Sequence, residues 1–104
     1  AGMVPEGIRL AQLDVGGLPL YNQDDDADPA PAVVALKRDI AAAHGVLFVT
    51  PEYNRSIPGV LKNAIDHASR PYGKSVFSGK PAGVIGVSVG AQGTAMAQQH
   101  LRNV

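Results

Sequence analysis

Two short runs carry the residues most suited to chemistry, Pro51-Glu52-Tyr53-Asn54 and Ser88-Val89-Gly90-Ala91-Gln92-Gly93. Each follows an apolar stretch, Val46 to Val49 in one case and Ala82 to Val87 in the other. A continuous β-branched and aromatic run of this kind reads as a buried parallel strand, and the loop at its carboxyl end is where open α/β sheets bind ligands. In the first loop, Pro51 and Pro58 stiffen the chain and Gly59 allows close backbone approach, so amides can be aimed before a flat heterocycle arrives. Spacing alone leaves a plainer alternative open for each run. The first could be an ordinary β-to-α connection with Pro58 in the first helical turn, and the second a tight strand-to-helix turn in which glycines relieve crowding.

The elements that must hold these loops follow from periodicity. Ile8 to Val15 alternates apolar and polar residues and reads as a half-buried or edge strand, closed by Gly16-Gly17. Asp28-Pro29 offers a cap and a first-turn proline for a helix over Ala30 to His44, where Val33, Leu36, Ile40 and Ala43 recur at helical spacing before Gly45. A second helix is expected from about Pro58 to Ser69, with Val60, Leu61, Ala64, Ile65 and Ala68 on one face. Arg70 to Lys80 reads as a surface loop and Pro81 to Val87 as a second fully buried strand. Gly93-Thr94 then opens a last helix with Ala97, Leu101 and Val104 in register. Strands alternating with helices predict an α/β fold with a parallel sheet, and 104 residues suit one domain over 1–104.

At these residues the chain resembles the NADPH-dependent FMN reductase family, the flavodoxin-like group that includes chromate and quinone reductases. The likeness rests on Thr50-Pro51-Glu52-Tyr53-Asn54, on Ser56 to Asp66, on Ala68-Ser69-Arg70-Pro71, on Gly79-Lys80-Pro81 with the strand after it, and on Ser88 to Gly93. A weaker match is Leu18-Pro19-Leu20-Tyr21-Asn22. The resemblance implies a flavodoxin-like three-layer sandwich, with FMN and NADPH as cofactors and a small-molecule electron acceptor such as a quinone or metal oxyanion. It places Pro51, Glu52, Tyr53 and Asn54 against the flavin ring, with Ser88, Gly90 and Gly93 reaching the same ring from the next strand. No side-chain acid or base is required, because flavin performs the difficult step and protein supplies stacking and orientation.

The departures shape further expectations. Family members begin with a strand and a Gly-Ser-rich phosphate loop, and continue beyond the point corresponding to Val104 with another strand and helix. The fold is therefore expected to be incomplete, with that first strand and last strand-helix unit missing. Ala1-Gly2 before Met3 reads as a cloning scar, and His67 stands where many members carry a large aromatic residue. Phosphate anchoring at a helix amino terminus gives much of the hold on such a cofactor, so the alternative reading is a truncated flavodoxin-like fragment with weak or no FMN binding, acting through oligomer assembly. The absent strand would lie at the sheet's centre, so a homodimer or homotetramer is expected, or a rearranged sheet placing Ile8 to Val15 beside Val46 to Val49, and the resemblance implies the helix Pro58 to Ser69 as the dimer contact.

Composition bounds the rest. Nine basic and nine acidic residues argue against nucleic acid or an anionic membrane as partner, and the absence of cysteine is compatible with a cytoplasmic setting. His44, His67 and His100 lack metal-ligand spacing, so no metal site is expected. Read without the family, Tyr53 could pack as a loop aromatic, Glu52 could be an exposed or dimer-contacting carboxylate, and Arg55 is either a dinucleotide-phosphate contact or a solvated cation. The run Asp24-Asp25-Asp26 with Asp28 reads as a solvated loop serving a helix amino terminus rather than a receiver-like acidic pocket.

Overall fold

The computed structural model describes residues 3–104, so Ala1-Gly2, the expected scar, lies outside the described residues. A short 3-10 turn at Gln23–Asp25 precedes helix α1 (Pro31–Ala42), strand β1 (Val46–Val49), helix α2 (Gly59–Ala68), strand β2 (Ala82–Ile85) and helix α3 (Ala95–Asn103). The strands pair in parallel, with Val46 opposite Ala82 and Val49 opposite Ile85. This alternation is the α/β arrangement expected from the periodicity.

Helix α1 starts one residue later than expected because Pro31, rather than Pro29, occupies its first turn. Proline's fixed φ suits that position, and its missing N–H would have no intrahelical partner there. Asp28 caps nothing; Ala30 is the boundary residue. At the other end the ammonium of Lys80 donates to the carbonyls of Ala41 (3.1 Å) and Ala43 (2.8 Å). Those are carbonyls a helix end leaves without partners.

Two apolar clusters hold the layers together. Leu36 and Ile40 of α1 meet Ala64 and Ala68 of α2 over Val46, while Ile57, Ile65, Ala97 and Leu101 meet over Phe48 and Val84. Phe77 packs against both and tilts against Phe48 at 6.1 Å. The segment from Arg70 to Lys80 is thus not merely a surface loop: Val76 and Phe77 are half-buried, and the Val76 amide donates to the Ala68 carbonyl at 3.1 Å.

The strands are not fully buried as their apolar runs suggested. Val46, Phe48 and Val84 face the helices, whereas Leu47, Val49 and Ile85 are 47%, 68% and 51% exposed on the other face. Among the described residues the helices cover one face only, so two layers of the expected three-layer sandwich are present and the other face of the sheet is bare.

Ile8 to Val15 is not a strand. Leu13 and Val15 rest on the first cluster, but Ile8 and Leu10 are more than half exposed and no ladder forms. Alternation produces a strand only where a neighbour supplies hydrogen bonds. The rearrangement that would have brought this segment beside β1 does not occur, since the sheet has the order β1-β2 alone.

Candidate functional site

Both glycine- and proline-bearing loops leave the same end of the parallel pair, and four contacts lock them together. Thr50 is buried where β1 ends, and its amide donates to the Ile85 carbonyl at 3.0 Å. Gly86, where β2 ends, lies so close to Thr94 and to the Thr50 carbonyl that any Cβ there would collide with both. From the first loop, the Glu52 carboxylate accepts from the Ala97 amide of α3 at 3.0 Å. Further on, Ser56 Oγ and His100 Nδ1 of α3 are hydrogen-bonded at 2.9 Å.

The first loop folds back on itself. Tyr53 and Ser56 exchange both backbone hydrogen bonds, at 3.0 and 2.9 Å, while Asn54 and Arg55 take the two turn positions with φ of 52° and 62°. Positive φ at both central residues defines the I′ type of tight hairpin turn. Asparagine tolerates this backbone, whereas arginine does so at a cost. Ile57 is buried in the second cluster and anchors the far side. Pro51, Tyr53 and Asn54 are left on the surface, with Tyr53 59% exposed.

The second loop is a run of small turns. Ser88 Oγ accepts from the Gly90 amide at 3.1 Å, and the Gly90 carbonyl accepts from the Gly93 amide at 3.1 Å. Gly93 takes φ 58°, and the space where its side chain would stand is open. All the expected site residues except Glu52 and Gly93 are exposed, and the structure gathers them at one end of the sheet. Among the described residues the amides of Glu52, Asn54 and Gln92 meet no internal acceptor. Amides without an internal acceptor are free to donate to the polar edge of a ligand.

The Leu18 to Asn22 segment is pinned to α2 in a way its sequence did not reveal. Asn63 accepts from the Tyr21 amide (2.8 Å) and donates to the Pro19 carbonyl (2.9 Å), and His67 Nε2 meets that same carbonyl at 2.7 Å. Buried His67 stands edge-on to Tyr21, with ring centroids 5.3 Å apart. The Tyr21 hydroxyl donates to the Asp26 carboxylate, its oxygens 3.0 and 3.1 Å away. Loss of solvent around the ring, and then this carboxylate, raise the phenol above its ordinary 10.0. The only available signal for this anchor was histidine at a position where the family favours a large aromatic. Among the described residues no group of three or more histidine, aspartate or glutamate side chains could hold a metal ion.

A solved structure of FerB, a flavoenzyme NAD(P)H:(acceptor) oxidoreductase from Paracoccus denitrificans, superposes with a TM-score of 0.82 at 54% identity, over 88% of this chain and 50% of that one. The chain is 59% identical to a 2-hydroxy-1,4-benzoquinone reductase of Burkholderia sp. over its full length, which is 57% of that protein. It is 54% identical to an NAD(P)H-dependent FMN reductase of Pseudomonas aeruginosa, over 97% of this chain and 55% of that protein. The chain therefore spans little more than half the length of these relatives. The model of one family matches residues 1–104 throughout, and with this flavodoxin-like fold the chain belongs to that family, the NADPH-dependent FMN reductases.

Proposed function

We propose that this chain carries the ring-binding half of an FMN-dependent NAD(P)H oxidoreductase that passes electrons from NADPH to a quinone or similar small acceptor. The observation that carries this reading is the pair of locked loops at the carboxyl end of β1 and β2, where the amides of Glu52, Asn54 and Gln92 have no acceptor among the described residues. In this reading Pro51, Glu52, Tyr53 and Asn54 line one edge of the flavin, while Ser88, Gly90 and Gly93 let the second loop's backbone approach closely. Bound there, FMN supplies the hydride chemistry between the dinucleotide and the acceptor. The protein's part is to orient the ring and leave one face open, and no side chain moves a proton. The names of the relatives, two of them a benzoquinone reductase and an FMN reductase, support a small-molecule acceptor. We place the reaction in the cytoplasm and in an assembly of two or more copies.

Titration of the apo-chain with FMN, followed by NADPH oxidation with a benzoquinone, tests this. The bare sheet face and free β1 edge favour weak FMN binding by the chain of 104 residues alone. Binding at micromolar or tighter affinity would overturn that part. Absence of any flavin binding at millimolar FMN would overturn the oxidoreductase reading.

A further inference from the structure

Glu52 sits between two solvent-exposed residues of the first loop, yet its carboxylate turns away from them and accepts from the Ala97 amide at 3.0 Å. Ala97 is the third residue of α3, and its amide is one of the donors for which a helix has no internal acceptor. Thr94, which opens α3, supplies no side-chain cap, since its hydroxyl accepts instead from Gln98 Nε2 at 2.9 Å. The cap of α3 therefore comes from 45 residues earlier in the chain. A carboxylate is favoured there twice, by a charge-assisted hydrogen bond and by the positive end of the helix dipole.

We propose that Glu52 is a positioning residue: through α3 it fixes the loop Ser88 to Gly93 relative to the loop Pro51 to Asn54, while only its main chain faces the ligand. The proposal rests on the reading that FMN binds between those loops. Ser56 Oγ and His100 Nδ1, 2.9 Å apart, join the same two elements further along α3, so the helix is held at two points. Because α3 starts two residues after Gly93, a shift of its first turn moves the second loop directly. The side chain contributes geometry, and its charge is not required at the ring.

Two variants separate these roles, Glu52→Ala and Glu52→Gln, the second keeping an oxygen that accepts the Ala97 amide. Amide hydrogen exchange is read on the ligand-free chain, and FMN affinity on the same preparations. Glu52→Ala speeds exchange at Ala97 about tenfold, raises it across Ser88 to Gly93, and weakens FMN binding by a similar factor. Glu52→Gln stays within about threefold of the wild type in both readouts and leaves the bound-flavin spectrum unchanged. Unaltered exchange at Ala97 in Glu52→Ala overturns the proposal. So does a Gln variant that loses FMN as badly as the Ala variant while Ala97 remains protected, because the charge would then act at the ring. A wild-type chain that binds no FMN removes the functional reading alone, and the exchange data still decide whether Glu52 holds α3.

Discussion

Among the glycines, Gly86 has the least room for a side chain, since the space beside its Cα is filled by Thr94 and by the Thr50 carbonyl. A methyl group there must push apart the two strand ends from which both loops spring. Gly86→Ala is expected to cost about 2 to 3 kcal/mol, lowering Tm by roughly 10 °C or more in a thermal melt. An unchanged Tm would mean that the strand ends part without resistance. Tyr21 yields a prediction in pH. Its phenol is raised above 10.0 in the fold, so the folded chain holds that proton more tightly than the unfolded one. This contribution is whole below 10.0 and is lost as pH rises through the higher folded value. Urea unfolding on the alkaline side should therefore bring wild type and Tyr21→Phe closer together as pH increases. Parallel curves would contradict the assignment.

Among the elements, α1 depends on a residue far outside it. Lys80→Met keeps the apolar stem but removes the ammonium that donates to Ala41 and Ala43, and should destabilise the chain by about 1 kcal/mol, seen as a lower urea midpoint with unchanged slope. Helices proved readable to within one or two residues because Val33, Leu36, Ile40, Ala64, Ala68, Ala97 and Leu101 bury on a helical period. Both strands were readable from apolar runs, and their loops from proline and glycine. Strand burial was not readable, since Leu47 and Ile85 have the same composition whether or not a layer covers them. Ile8 to Val15 misled for a related reason: alternation records which residues could face a core, while pairing is settled by a neighbour elsewhere in the chain. Glu52 and His67 were visible as residues, but their partners lie 45 and 48 positions away, and no local pattern records such contacts.

Across the whole molecule, the uncovered face gathers Leu47, Val49 and Ile85, with Val87 at 91% exposure beyond the end of β2. Contiguous apolar surface beside an unpaired strand edge favours association. Light scattering at about 100 µM should give the mass of at least two chains, and Val49→Lys should return it toward one. A wild-type chain that stays at single-chain mass would refute this.

The projecting Tyr53 also has a practical side. Without tryptophan, ultraviolet emission comes from three phenols in different settings: Tyr21 against a carboxylate, Tyr72 at 92% exposure, and Tyr53 beside the turn of the first loop. A yellow chromophore settling on that loop would drain the light of the nearest phenol first. Intrinsic fluorescence can thus watch occupancy at the loop with no label attached.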